Sequence, residues 1–234
     1  MNSPTISIVL PVYNQEDHLE KIIASYREHL KKIPSVCELL LVPNGCTDGS
    51  VELCRRLSEN QEHVRTVSVE GRGWGAAVRA GLAAAKGEIL CYTNSARTQP
   101  EDLVLMLMYA IAYPKTVVKT NRKLRENVRR RIGSLIYNLQ CRTLFDLSYW
   151  DINGTPKVFP RSYEHLLRLT RPDDLIDLEF NIICRQMNYP VVEVPSFITR
   201  RHGGKSTTTV LSALRLYWGA FRMWRAQKPL SHAV

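Results

Sequence analysis

The feature that most constrains this chain is the alternation of short apolar runs with amphipathic segments through its first hundred residues. The apolar runs predict buried β-strands, and the segments between them repeat apolar residues at the helical period. The four predicted strands cover residues 5–11, 38–42, 64–69 and 89–92. Asn14 is expected to cap the first helix, over residues 15–32. Alternation of this kind specifies an α/β fold with a doubly wound, mostly parallel sheet.

The polar loop after the fourth predicted strand is where we expect a ligand site. Ligands of open α/β sheets bind at the carboxyl ends of the strands. The apolar run 89–92 leads into a polar stretch at 93–99, and Pro100 then opens a helix with two acids in its first turn. Proline and carboxylates are both favoured at a helix start. Residues 93–99 should therefore lie at the mouth of the site.

Beyond Pro100 the patterns are less regular. They predict helices at 103–112, 174–188 and 210–227, strands at 116–119 and 190–200, a strand pair at 150–159, and a basic amphipathic segment at 122–145. We see no linker that separates these elements, so a single domain over residues 1–234 is expected.

Composition narrows the class of partner. The formal net charge is +10, which implies an anionic partner: nucleic acid, a phosphorylated ligand or anionic lipid. No apolar run approaches the roughly 18 residues that a membrane span needs. The six cysteines form no C-x-x-C pair and no secretory signal precedes them. We therefore expect a reducing, intracellular setting without structural zinc or disulfides.

Four pieces of the sequence carry a family resemblance by their order and spacing. They are Ile8-Val9-Leu10-Pro11-Val12-Tyr13-Asn14-Gln15-Glu16, the turn 44–50, the glycine-containing stretch 71–89, and a late group at 151–159, 177–179 and 201–206. In this order they resemble the family 2 glycosyltransferases, particularly the branch similar to dolichol-phosphate mannose synthase. Each piece alone is a weak signal, but together they cover most of residues 5–206.

The resemblance implies a GT-A fold and inverting transfer from a nucleotide-sugar, UDP- or GDP-linked, to an acceptor. It implies a nucleotide-sugar half over about residues 1–100 and an acceptor half over about 101–208, and the residue pattern adds a C-terminal amphipathic helix at 209–234. The nucleotide-sugar positions that it indicates are Pro11, Tyr13, Gln15, Asn44, Arg72, Thr93, Asn94 and Ser95. The glycines beside Arg72 would let backbone approach the ligand closely.

One departure from the family pattern concerns the metal. Members usually carry Asp-x-Asp after the fourth strand, to hold Mg or Mn against the diphosphate, where this chain has Thr93, Asn94 and Ser95. The acidic pair after the second strand is likewise replaced, by Pro43 and Asn44. Hard divalent ions prefer carboxylate oxygens, so any ion should bind weakly and metal dependence is in doubt.

Two interpretations of this departure stay open. In the first, fixed cations stabilise the departing diphosphate instead of an ion. The cations in predicted site loops are Arg72, Arg97, Arg201 and Lys205, with Arg97 assigned a catalytic part. Arg97 could equally be a solvated loop charge. In the second interpretation, the chain is a nucleotide-sugar-binding protein that has lost catalysis.

The acceptor half offers two acids on one predicted helix. The resemblance favours Asp177 as the base that deprotonates an acceptor hydroxyl, with Glu179 as a second catalytic candidate. Residues two apart on a helix point to different faces, so the two are not expected to serve one site. A lipid phosphate acceptor, already anionic, would need no strong base. The loop with Arg201, His202 and Lys205 suits a phosphate, and His202 is more often a loop histidine than a catalyst.

The basic and tail segments suggest a membrane surface. Residues 115–131 hold eight basic side chains against one acid, and the tail combines arginines with Trp218 and Trp224. An amphipathic, Arg-bearing helix with tryptophans suits an anionic membrane interface. We therefore expect a cytoplasmic protein, peripheral on the cytoplasmic membrane face, although a packed terminal helix or a dimer contact would read the same. Nucleic acid is not expected, because no recognition motif accompanies the charge.

Overall fold

The computed structural model of the chain describes residues 5–69, 71–123, 128–197, 201–203 and 210–226, and in these ranges seven strands and seven α-helices follow one another. The strands are β1 (Ile6–Val12), β2 (Cys37–Pro43), β3 (Val64–Thr66), β4 (Ile89–Tyr92), β5 (Val117–Arg122), β6 (Lys157–Pro160) and β7 (Val191–Ser196). The helices are α1 (Leu19–Leu30), α2 (Ser50–Asn60), α3 (Trp74–Ala84), α4 (Pro100–Ala112), α5 (Val128–Phe145), α6 (Ile176–Gln186) and α7 (Val210–Ala226).

All seven strands form one sheet in the order β3-β2-β1-β4-β6-β5-β7. Only β6 runs against its neighbours, and every other pairing is parallel. The prediction of a mostly parallel α/β sheet is therefore confirmed. The carboxyl ends of six strands and the start of β6 meet at one edge of the sheet, which we call the loop edge.

The core lies on both faces of the sheet. Ile6, Ile8 and Leu10 of β1 pack with buried residues of α1, α2 and α4, whereas Val9 packs with α3, α6 and α7 on the other face. Successive strand residues point to opposite faces, and the near-continuous apolar run of β1 serves both. The sheet is thus a covered platform that fixes where the loop edge lies.

The predicted strand pair at 150–159 is wrong, because only β6 is a strand in this region. The backbone N–H groups of Trp150 and Asp151 donate to the Glu193 carboxylate at 2.9–3.1 Å, not to a strand partner. Gly154 lies so close to the Thr120 carbonyl that a Cβ atom would clash with it. Side-chain and backbone contacts therefore hold this segment as a loop.

Asn14 does not cap α1, which begins at Leu19 instead of residue 15. Asn14 has a φ of 48°, and its side chain bonds Thr47 instead. Its Oδ1 accepts from the Thr47 N–H at 2.8 Å and its Nδ2 donates to the Thr47 hydroxyl at 3.0 Å. The pairing joins the loops after β1 and β2.

The third strand ends at Thr66, earlier than predicted, and residues 124–127, 198–200 and 227 of other predicted elements lie outside the described ranges.

Candidate functional site

The loop edge brings the predicted nucleotide-sugar residues together. Pro11 is the next-to-last residue of β1, and the others lie in the loops after β1, β2, β3 and β4. Contacts link the four loops: the Ser95 hydroxyl donates to Gln15 Oε1 at 2.7 Å, and the Gly73 N–H donates to Asn44 Oδ1 at 3.3 Å. The resemblance therefore selected residues that are neighbours in space.

Tyr13 and Arg72 form one wall of this edge. The Arg72 guanidinium lies 4.4 Å from the centroid of the Tyr13 ring, a cation–π contact between loops that are 59 residues apart in sequence by subtraction. Gly45 has a φ of 63°, and a Cβ atom there would lie 2.8 Å from the Arg72 Cβ. Gly45 therefore leaves the space through which the Arg72 side chain reaches Tyr13.

Asn44 is used internally. Its Nδ2 donates to the Val12 carbonyl at 2.9 Å, while its Oδ1 accepts from Gly73. An aspartate at this position could not donate to Val12, and its charge would lie beside a carbonyl oxygen in a buried place. The amide thus suits a clasp between the ends of β1 and β2 and the glycine loop.

The turn after β4 is closed by neutral hydrogen bonds. Thr93 and Ser95 are fully buried. The Thr93 hydroxyl pairs with the Thr98 hydroxyl at 2.6 Å, and Ser95 donates to Gln15. Asn94 accepts from the Ala96 N–H at 3.0 Å through its side chain and from Arg97 and Thr98 through its carbonyl.

These residues do not fit a hard divalent cation. The Thr93 and Ser95 hydroxyls already bond partners in the protein, and neutral oxygens are poor substitutes for carboxylates around Mg²⁺ or Mn²⁺. Within the described ranges, no group of three or more His, Cys, Asp or Glu side chains is placed to hold a metal. The six cysteines are free thiols.

Two of the predicted cations lie at this turn. Arg97 is part of it, and its N–H donates to the Asn94 carbonyl at 3.0 Å. Arg201 comes from the other half of the chain, next to His202, which donates from its N–H to the Ala96 carbonyl at 3.0 Å. Lys205 lies outside the described residues. The segment 201–203 therefore contacts the turn after β4 directly.

The glycine loop before α3 serves a protein contact. A Cβ atom at Gly73 or Gly75 would clash with the carbonyl groups of Pro172 and Arg171, and the Ala76 N–H donates to the Pro172 carbonyl at 2.9 Å. Gly71, with a φ of 84°, has open space around it. At Gly73, where close approach of a ligand was expected, the close contact is thus made by the segment before α6, which also contacts Gly75.

Asp177 lies in a buried ion pair. Its carboxylate pairs with Lys157, which is fully buried, and accepts from the Tyr92 hydroxyl at 3.0 Å. Burial and then Asp177 raise the pKa of Tyr92 well above its usual range. Only 7% of the Asp177 side chain is accessible. The acid predicted as a base is therefore committed to holding Lys157 and Tyr92.

Glu179 points elsewhere, as its spacing predicted. Its carboxylate accepts from the Thr170 and Arg171 N–H groups at 2.9–3.0 Å and from the Thr170 hydroxyl at 2.6 Å. These bonds fasten the segment before α6 to the helix. Asp173 and Asp174 are both exposed before this helix, and Asp173 pairs with Arg171 at 2.7 Å. Desolvation, and then Asp177 and Asp173, raise the pKa of Asp174.

Sequence reasoning missed a row of three charged residues and one tyrosine across β4, β6, β5 and β7. Tyr92, Lys157, Lys119 and Glu193 lie opposite one another in consecutive strand pairs. Directly opposed lysines would repel each other, yet both are fully buried. A lysine within a predicted buried strand is seldom buried unless it is paired, which is the signal that would have pointed to this row.

Helix α6 and neighbouring acids compensate the two lysines. Lys119 Nζ lies 3.4 Å from Glu193 Oε1 and donates to Asn181 Oδ1 at 2.9 Å, one helical turn after Asp177. Burial, and then Lys157, lower the pKa of Lys119 to about 8, against the opposing pull of Glu193 and Asp151. Nearby, Arg122 holds Asp151 through two bonds of 2.7 and 2.8 Å.

Solved structures with this architecture share the GT-A fold. Glucosyl-3-phosphoglycerate synthase from Mycobacterium tuberculosis, in complex with Mn²⁺, UDP-glucose and phosphoglyceric acid, matches with a TM-score of 0.72 at 18% identity, over 97% of this chain and 81% of that one. A structure described as a mycobacterial protein matches with a TM-score of 0.70 at 18% identity, over 94% and 74%. The sheet and its loop edge are thus those of a GT-A glycosyltransferase fold.

The family follows from the sequence match. The model of glycosyl transferase family 2 matches residues 7–166, more than half of the chain, and the chain belongs to that family. Its relatives include the undecaprenyl-phosphate 4-deoxy-4-formamido-L-arabinose transferases of Salmonella choleraesuis and Salmonella paratyphi B, each 23% identical over 218 residues and 91% of this chain. The chain spans 65% of the length of these relatives.

Proposed function

We propose that this chain is an inverting glycosyltransferase that moves a sugar from a UDP- or GDP-linked donor to a polyprenyl phosphate, with arginines in place of a tightly held metal ion. The family assignment supports sugar transfer. The observation that carries the metal-independent form is the turn after β4. Its Thr93 and Ser95 hydroxyls bond protein partners, and Arg97 belongs to the same turn.

The proposed step is a single displacement. A phosphate oxygen of the acceptor attacks the anomeric carbon, and the bond from that carbon to the β-phosphate oxygen breaks. The nucleoside diphosphate leaves with the electron pair, and the configuration inverts. Preorganised guanidinium groups aimed at the leaving phosphates would stabilise the developing charge. Arg97 and Arg201 are proposed for this part, and Arg72 with Tyr13 for the wall beside the nucleotide.

The state of Asp177 supports an acceptor that is already anionic. A hydroxyl acceptor needs a base within hydrogen-bond reach. Asp177 is buried against Lys157 and Tyr92, and Glu179 is bonded to the Thr170 segment. A phosphate acceptor needs neither. The names of the Salmonella relatives contain undecaprenyl-phosphate, which agrees with this choice.

Helices α5 and α7 support a membrane surface as the place where the acceptor is met. They pack together, with the Tyr217 hydroxyl donating to the Gly133 carbonyl at 2.5 Å. Each leaves a helical stripe of apolar side chains in solvent. The stripes are Ile132, Leu135, Ile136 and Leu139 on α5 and Leu211, Leu214 and Trp218 on α7, between 52 and 67% exposed. Accessible arginines accompany them at 131, 215, 222 and 225.

Exposed apolar stripes accompanied by arginines match an anionic lipid interface, and we propose peripheral binding to the cytoplasmic membrane face. No helix in the described parts of the chain is both long enough and apolar enough to cross a bilayer.

The experiment is a transfer assay with UDP- and GDP-sugars and a polyprenyl phosphate in anionic vesicles, with EDTA or MnCl₂ present. The proposal expects the polyprenyl glycosyl phosphate and a free nucleoside diphosphate to form in equal amounts, at similar rates in both conditions. Transfer that EDTA abolishes would contradict the arginine substitution. Transfer to a hydroxyl acceptor, lost in Asp174→Asn, would contradict the phosphate acceptor.

The alternative is a nucleotide-sugar-binding protein without catalysis. The observation that favours it is that the side chains of Asn44, Asp177 and Glu179 are hydrogen-bonded or ion-paired within the protein. Donor binding detected by a thermal shift, together with no turnover of any donor and acceptor pair in the same assay, would support this alternative.

A further inference from the structure

We infer that His202 is a positioning residue that directs Arg97 toward the donor diphosphate. It does so by donating hydrogen bonds to the backbone carbonyl groups of the residues before and after Arg97. The inference rests on the proposed function for the identity of the ligand. It assigns His202 neither acid–base chemistry nor metal binding.

His202 bonds two carbonyl groups that flank Arg97. Its backbone N–H donates to the Ala96 carbonyl at 3.0 Å. Its ring Nε2 lies 2.9 Å from the Thr98 carbonyl oxygen. A carbonyl can only accept, so Nε2 carries the hydrogen and donates. The residues before and after Arg97 are therefore both fixed from the acceptor half of the chain.

Thr98 also joins the donor half at this point. Its carbonyl accepts from the Tyr26 hydroxyl at 2.8 Å, and its hydroxyl pairs with Thr93 at 2.6 Å. His202 therefore adds a hydrogen bond from the segment 201–203 to Thr98, a residue that α1 and the end of β4 already hold in place. Fixing the backbone in this way narrows the directions open to the Arg97 guanidinium, which is what preorganisation requires.

The segment 201–203 packs closely against the start of α1. Gly203 lies against the buried ring of His18, and a Cβ atom on Gly203 would be 2.6 Å from His18 Nδ1 and 2.8 Å from its Cγ. The His18 ring is itself held, because Nδ1 lies 2.5 Å from Asp17 Oδ1. Arg201 turns back on the segment, with its Nε donating to the Gly203 carbonyl at 3.1 Å. Glycine is therefore needed at 203 for His202 to reach the turn.

The test is titration of the 234-residue chain with UDP and with GDP in EDTA. We expect His202→Ala to weaken binding at least tenfold. His202→Gln, whose amide nitrogen can donate from about the place of Nε2, should stay within threefold of the unaltered chain. Gly203→Ala should also weaken binding, and His18→Ala combined with Gly203→Ala should recover most of the loss by removing the ring that blocks the new methyl group.

A double-mutant cycle separates positioning from a general structural role. If His202 acts through Arg97, then His202→Ala should change affinity less than twofold in a chain that already carries Arg97→Gln. Additive losses would contradict the inference. So would unaltered binding in His202→Ala when the parent chain binds, and that result would leave the proposed function intact.

Failure of the parent chain to bind either nucleotide would overturn the proposed function. Hydrogen exchange in the ligand-free chain then decides the positioning. The Arg97 and Thr98 amides, which donate to the Asn94 carbonyl at 3.0 and 2.9 Å, should exchange faster in His202→Ala than in His202→Gln. Equal exchange in the two variants would overturn the inference.

Discussion

At the scale of single residues, the main finding is that acids near the loop edge pair with cations that are buried or partly buried. Asp177 compensates Lys157, Glu193 compensates Lys119, and Asp151 holds Arg122. Removing one partner from a buried pair leaves an uncompensated charge, which is far more costly than removing both. Substitutions in this row of residues are therefore expected to change the free energy of unfolding more than they change the rate of transfer.

Asp177→Asn tests this directly. The change leaves the fully buried Lys157 without its carboxylate, and we expect the free energy of unfolding to fall by about 3–5 kcal/mol. The double variant Lys157→Met with Asp177→Asn should recover more than half of that loss, because the amide can still accept from Tyr92. Urea unfolding monitored by circular dichroism measures both.

The same double variant tests the base assignment. Loss of a general base lowers the rate by about 100-fold or more, whereas a positioning role for Asp177 predicts transfer within about tenfold of the parent. A well-folded double variant that transfers no sugar would instead indicate that Asp177 is the catalytic base, as the sequence resemblance suggested.

Lys119 predicts a pH dependence with a definite sign. Burial lowers its pKa in the folded chain to about 8, whereas an unfolded lysine titrates near pH 10.4. Between these values the unfolded chain holds a proton that the folded chain has released, so this residue adds stability as the pH rises. The slope is at most about 1.4 kcal/mol per pH unit.

The measurement is the difference in unfolding free energy between the parent and Lys119→Met, from pH 7 to 10. Taking a difference removes the common titration of buried cysteines and tyrosines, whose raised pKa values act in the opposite direction. We expect the difference, parent minus variant, to rise above pH 8. A flat or falling difference would contradict the assignment.

At the scale of elements, α5 and α7 expose an apolar surface that a folded chain seldom leaves bare. Trp218 and Leu214 are 62 and 58% exposed, while Ala220 of the same helix is buried in the core. We expect Leu214→Ser with Trp218→Ser to weaken binding to anionic vesicles at least tenfold, since burying each side chain contributes about 1.5–3 kcal/mol.

Leu105→Ser is the matched control. Leu105 is 44% exposed on α4, which packs on the opposite face of the sheet. This change should leave vesicle binding in a sedimentation assay unaltered, and binding of the parent should weaken as salt screens its arginines. Equal losses in the control and the double variant, or no binding by the parent, would contradict the membrane role.

Sequence patterns predicted the elements that depend on local signals. The period-2 and period-3.6 patterns located β1, β4 and α4, and the glycine and proline punctuation located the loops between them. The loop at 150–156 was misread because its N–H groups bond Glu193, 42 or 43 residues away in sequence. No local pattern carries such a contact.

At the scale of the whole molecule, the topology explains why the resemblance found neighbouring residues and missed the charged row. Parallel strands bring their loops to one edge by construction, so motif order predicts proximity there. The pairing of Lys119 with Lys157 depends on β6 entering antiparallel between β4 and β5. That insertion has no signal in the motif set. The division into a donor half and an acceptor half remains a prediction.

The central claim joins these scales: a family 2 glycosyltransferase fold holds its donor diphosphate with arginines, at a turn whose hydroxyl groups are closed on the protein. The most direct measurement is calorimetric titration of the metal-stripped chain with UDP and GDP, in EDTA and again in MnCl₂. The account predicts binding of one nucleotide with dissociation constants within threefold in the two conditions, and at least tenfold weaker binding in Arg97→Gln. Binding that needs Mn²⁺, or that Arg97→Gln leaves unchanged, would contradict it.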